Sequence, residues 1–271
     1  MKRRALIALG TALGVLSAVF AVMAVLRSGG LTDNVTGDLS EYGPPEETET
    51  PADATPSPSA WADAFPAEAD SEPAKEPYES PVDFDSLKEI NADIYAWMEI
   101  PGTNISYPIL HREGDDGYYL THGGDGEKSK DGALFSEDYN GLDFSDPVTI
   151  VYGHNMKSGN MFGNLQEYYT NEDFFKENGE IDVYLPDRKL KYHIFAAVPF
   201  SSFHILYYCD FSNERIFYAF IDSVYSIRSL NAVLDDDVEI RPDDKILILS
   251  TCLKGDDTRR FLVMAVQQST D

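Results

Sequence analysis

The chain has 271 residues, room for one domain of moderate size plus flanking segments. With 47 acidic against 21 basic residues it carries a formal net charge of −26. That excludes nucleic acid as a partner, because a polyanion would be repelled over most of the surface.

Charge is spread unevenly, and three regions follow: 1–30, 31–80 and 81–271. Lys2, Arg3 and Arg4 precede Ala5 to Leu26, a run of 22 residues without a charge. As a helix rising about 1.5 Å per residue it spans roughly 33 Å, enough to cross a bilayer core. Three basic residues before the run and only Arg27 just after it place the N-terminus in the cytoplasm and the remainder outside. The expectation is a single-pass protein of the cell membrane, anchored through residues 5–26, with its folded domain extracellular. The competing reading is a cleaved signal peptide, since Val19-Phe-Ala21 and Val22-Met-Ala24 resemble small-residue cleavage sites. Residues 31–80 hold 13 Asp or Glu, a single Lys75 and eight of the 15 prolines. Such a segment buries too little apolar surface to offset its ordering entropy, so it reads as a disordered stalk.

The folded part, 81–271, opens with Asp83 and Ser86 as caps for a short helix carrying Phe84, Leu87 and Ile90. Pro101-Gly102 is a turn, and Asn104 to Leu110 alternates as a strand. Loops surround Tyr118-Tyr-Leu120. Gly132 to Phe135 and Val148 to Tyr152 are two further strands, and Asn171 to Asn178 is a helix. Ile181 to Leu185 and Leu190 to Val198 flank Pro186-Asp187 as a hairpin. Ile216, Phe217, Phe220, Val224 and Ile227 space one face of a long helix over Asn213 to Leu230. Ile246 to Leu249 and Phe261 to Val266 are buried strands separated by the polar loop Leu253 to Thr258. Many short strands with one long helix indicate a closed or nearly closed β-barrel with helical insertions.

Cys252 ends one of the last two strands and faces the start of the other, where Arg259 and Arg260 stand. Adjacent strand residues point to opposite faces, so only one arginine can aim at the thiol. A thiol near a cation suits nucleophilic chemistry, whereas a Cys252–Cys209 disulfide is the structural alternative for a domain outside the cell. Of five histidines, His111 and His122 read as solvated and His193 as a packed or surface residue. His204 has no evident partner. His154, in Tyr152-Gly-His-Asn-Met156, lies just past a buried strand on a glycine-loosened turn, a place where rigid scaffolds present catalytic groups.

Together these residues resemble the sortase family of cell-wall transpeptidases in Gram-positive bacteria. Leu249-Ser-Thr-Cys252 is similar to the Thr-Leu-x-Thr-Cys signature, with Ile248 at its first position, and Arg260 before an aliphatic strand fits the family arginine. Tyr152 to Met156, Gly159-Asn-Met-Phe162 and Trp97…Ile100-Pro-Gly-Thr…Ile105-Ser-Tyr-Pro108 resemble class B members. The resemblance implies an eight-stranded sortase-type barrel and no cofactor or metal. It implies that Cys252 attacks the carbonyl after Thr in an LPXTG-like or Asn-Pro-x-Thr-like sorting signal, with His154 as acid and base and Arg260 stabilising the oxyanion or holding the substrate carbonyls. Tyr152, Asp116, Leu120, Ser250 and Thr251 would bind that signal. Asp116 stands where relatives often carry Asn, and Leu253 where Glu often follows the cysteine. The implied partners are surface proteins bearing the signal and an amine acceptor, from a peptidoglycan precursor or a pilin lysine. A pilin-polymerising sortase, a cysteine hydrolase and a disulfide-stapled adhesin are the alternative readings.

Overall fold

Residues 78–268 are described by the computed structural model. The expected membrane helix over 5–26 and all but the end of the acidic segment lie outside that range. Among the described residues no helix is long and apolar enough to cross a membrane.

Among the described residues nine strands form one sheet: β1 Ile94–Glu99, β2 Ser106–His111, β3 Leu134–Ser136, β4 Val148–Tyr152, β5 Glu180–Tyr184, β6 Lys189–Ser201, β7 Val233–Leu234, β8 Ile246–Leu253 and β9 Asp256–Gln267. Their order is β5-β1-β2-β3-β4-β8-β9-β6, and β5 pairs with β6 to close eight strands into a barrel. Two-residue β7 only extends the free edge of β6. Closure removes the unpaired edges that an open sheet would expose. Pairings are antiparallel except β2–β3 and β4–β8, which run parallel. The expected eight-stranded barrel is therefore what the chain forms.

Alternation along the strands sorts side chains into two packed sets. Met98, Ile109, Val151, Leu247, Leu249, Phe261 and Val263 belong to one cluster, the barrel interior. Ile150, Ile248, Leu262 and Met264 point the other way and pack with Phe217, Phe220, Ile221 and Val224. Those four line one face of α5, Glu214–Tyr225, here the fifth helix after α1 Phe84–Ile90, α2 Leu165–Tyr169, α3 Glu172–Glu177 and α4 Ile205–Tyr208. Asn213 caps α5 by accepting from Arg215 N. Burying each large apolar side chain of that face contributes about 1.5–3 kcal/mol.

α5 stops at Tyr225, short of the expected Leu230, whose side chain is fully exposed. α1 forms where expected, with Phe84 and Leu87 buried beside Trp97 but Ile90 turned to solvent. α3 has the expected asparagine at each end, Asn171 accepting from Asp173 N and Phe174 N. The loop expected over Leu253 to Thr258 contracts to Lys254-Gly255 because both strands continue past it. Gly255 takes φ +85°, which a residue with a side chain rarely adopts.

Candidate active site

Along β8, Ile246 and Ile248 face α5 and Leu247 and Leu249 face the interior. Continuing that alternation puts Ser250 and Cys252 on the α5 side and Thr251 inside. On β9, Leu262 and Met264 set Arg260 on the same side as Cys252. Cys252 and Arg260 are direct partners in the antiparallel ladder. Arg260 Nη1 lies 3.7 Å from Cys252 Sγ and also donates to the carbonyls of Asp257 (3.3 Å) and Arg259 (3.4 Å). Its guanidinium is thus held over the thiol. Arg259, opposite Ser201, is exposed.

His154 arrives from the neighbouring strand. β4 runs parallel to β8 with Tyr152 level with Ser250, so His154 and Cys252 each stand two residues beyond that pair. Gly153 N donates to Ser250 O (3.1 Å) and Asn155 Nδ2 to Cys252 O (2.8 Å), fastening the two strand ends together. A β-carbon at Gly153 would meet Leu134 Cδ2 at 2.5 Å and Phe162 Cδ2 at 2.6 Å, so a larger residue there would have to displace both side chains. The His154 ring makes a 2.8 Å hydrogen bond from Nε2 to Leu120 O. A carbonyl only accepts, so Nε2 carries a hydrogen there and the neutral ring keeps Nδ1 free for proton exchange. Gly132, at φ +64°, passes so close that a β-carbon would sit 2.9 Å from His154 Cδ2.

The remaining expected residues are distributed around this trio. The Leu120 side chain is 44% exposed beside the carbonyl that holds His154. Asp116 accepts from Asp138 N at 2.8 Å, and its charge reaches both Glu137 and Tyr152. Tyr152 stacks on Phe135, and its phenol lies within reach of the Glu137 charge. Burial, then the Glu137 charge, pushes its phenol up, and Arg260 pulls the other way. Ser250 is buried on the Cys252 side. Thr251 departs from expectation: alternation turns it into the barrel, where it is 2% exposed with Oγ1 lacking a hydrogen-bond partner. Its side chain is not available to a substrate on the opposite face.

Both cysteines are free thiols, so the stapled-adhesin reading loses its disulfide. Burial pushes the Cys209 thiol up. His111 is not solvated as expected but lies 3.1 Å from Asp138 with its side chain 13% exposed, and His122 stacks on Tyr118. His204 does have a partner, Glu137 at 3.1 Å. Asn155 and Glu137 went unread in the sequence; Asn155 at least stands next to His154, whereas Glu137 has no local signal. Among the described residues no cluster of His, Cys, Asp and Glu is arranged to hold a metal ion. A cleft of about 880 Å³ beside β6 and β7 contains none of the trio.

A thiol, a guanidinium fixed beside it and an imidazole on the adjoining strand end can together perform acyl transfer. Residues 98–268 match the sortase domain family. Sortase B of Listeria monocytogenes is 31% identical over 166 residues, 61% of this chain and 65% of that protein, just under two thirds of its length. Sortase B of Staphylococcus aureus is 28% identical over 184 residues, 67% of this chain and 73% of the other. The crystal structure of Clostridium perfringens sortase B superposes with a TM-score of 0.61 at 30% identity, covering 69% of this chain and all of that one.

Proposed function

The chain belongs to the sortase family of cysteine transpeptidases, and from that membership we propose a membrane-anchored sortase that transfers surface proteins to a cell-wall amine. The observation that carries this reading is the Arg260 Nη1 to Cys252 Sγ approach of 3.7 Å on paired strands, with His154 at the end of the adjoining one.

In the proposed reaction the Cys252 thiol passes its proton to His154, and Sγ attacks the carbonyl carbon of Thr in an LPXTG-like or NPxT-like signal. The C–N bond to the next residue breaks, and His154 gives its proton to the leaving amine. An amine from a peptidoglycan precursor or pilin lysine then attacks the thioester, loses a proton to His154 and releases the thiolate. Arg260 offers fixed donors to the oxyanion in both steps. Tyr152, Asp116, Leu120 and Ser250 would line the signal. Residues 5–26 would anchor the chain with this domain outside.

Mass spectrometry of the protein mixed with a panel of LPXTG and NPxT peptides tests the scheme. Wild type should gain an acyl group on Cys252 that triglycine or hydroxylamine discharges as an amide or hydroxamate; Cys252→Ala should gain nothing. No adduct from any peptide, or hydrolysis alone with the amine present, would sink the transpeptidase reading.

A further inference from the structure

Glu137 takes no part in the chemistry above, yet it stands behind it. It follows β3, its side chain is only 13% exposed, and both of its partners come from other elements. From the end of β4 the Tyr152 phenol comes close enough to its carboxylate for each to shift the other's protonation. From the exit of β6, His204 brings Nε2 to 3.1 Å from Oε2. That distance suits an ion pair, but the alignment falls short of a hydrogen bond, and Oε2 is otherwise sealed from water. The ring's other nitrogen fixes its tautomer. His204 Nδ1 accepts from Tyr207 N at 3.1 Å and caps α4, so the neutral ring carries its hydrogen on Nε2, towards Glu137.

Both partners lead to the reacting groups. Tyr152 is level with Ser250, two residues before Cys252, and the Arg260 charge reaches its phenol. Phe200 and Ser201, just ahead of His204, face Arg260 and Arg259 across the β6–β9 ladder. One carboxylate thereby joins the two walls flanking the thiol. Burial, as the main cause, pushes the Glu137 carboxyl up, and Asp116 adds to it. Keeping a charge where burial disfavours it costs stability, a cost more often met at functional sites than in inert cores.

We propose that Glu137 is a positioning residue for acyl transfer, fixing the Tyr152 phenol and the His204–Tyr208 segment together so that the walls beside Cys252 and Arg260 are set before substrate enters. The inference rests on Cys252 being the nucleophile. Its test uses the full chain in detergent and a peptide that acylates the wild type, with Glu137→Gln, His204→Asn and the double variant. Gln keeps the shape without the charge; Asn keeps a helix cap but is too short to reach Glu137. Each single variant should lower the single-turnover acylation rate about ten- to a hundred-fold, and the double should be no slower than the worse single. The thermal midpoint of Glu137→Gln at pH 7 should match or exceed wild type. A wild-type rate in Glu137→Gln, multiplying losses in the double, or a rate loss tracking a lower midpoint would each overturn the proposal. If the wild type itself forms no acyl-enzyme, the functional reading falls and takes this inference with it.

Discussion

Arg260→Ala removes the one guanidinium aimed at Cys252 while leaving its neighbour Arg259 in place. Two backbone carbonyls, of Asp257 and Arg259, hold Nη1 at 3.3 and 3.4 Å, so the donor is oriented before any charge develops near Sγ at 3.7 Å. Losing a preorganised oxyanion donor costs about 2.7–4 kcal/mol, or roughly a hundred- to a thousand-fold in rate. Arg259 is exposed and lies opposite Ser201, and deleting an exposed charge changes energies by about 1 kcal/mol at most. Arg260→Lys should recover little, because an ammonium on a flexible stem cannot grip both carbonyls and still reach the anion as a planar fork does. Rapid-quench mass spectrometry of the acyl-enzyme gives the single-turnover rates, and circular dichroism checks folding. If Arg259→Ala is the slower enzyme, or Arg260→Ala stays within a few-fold of wild type, the guanidinium does not serve the oxyanion.

Cys252→Ala should abolish turnover whereas Cys209→Ala keeps most of it, since Cys209 only packs among apolar side chains; equal losses in a peptide-cleavage assay would contradict this. Gly132→Ala places a methyl 2.5 Å from Tyr119 O and 2.9 Å from His154 Cδ2 at a φ that disfavours alanine. It should lower kcat by displacing the imidazole, and a pH–rate profile unchanged from wild type would argue against that. Glu137 also predicts a pH dependence of stability. Its folded carboxyl sits above the ordinary value mainly through burial, so the folded state holds the proton more tightly than the unfolded chain. Its contribution is complete below the ordinary carboxylate range and fades as pH rises through it towards the raised folded value. Thermal midpoints of Glu137→Gln should therefore fall less than those of wild type over that window.

The strand ends that carry Cys252, Arg260 and His154 were legible because each borders a compact aliphatic run. The caps of α3 and α5 were legible because Asn171 and Asn213 act locally on backbone amides. β1 was missed: five of its six residues are buried, packed inside through Ala96 and Met98 and outside through Ile94 and Trp97. With both faces covered it has no polar alternation to read. α5 was overextended because Ile227 keeps the apolar spacing past the point where Ser226 ends the helix. The resemblance places Thr251 at the substrate through the Leu249-Ser-Thr-Cys252 signature, but a one-residue step along a strand reverses the face. The Glu137–His204 pair joins segments far apart in the chain, and neither residue signals the other.

The parallel alignment of β4 with β8 also bears on how the enzyme comes into being. Thiol and guanidinium are 8 positions apart on a single hairpin, whereas Asn155, which ties the histidine turn to Cys252, reaches across 97 positions. Hairpins form in about 1–10 μs, while contacts spanning a long loop wait on closure entropy and slow a fold down. During refolding the nucleophile and its cation should meet early and the imidazole arrive with barrel closure. Regain of turnover would then report the last long-range docking event rather than collapse, and a chain caught before it would hold an arginine-flanked thiol with no acid to complete the reaction.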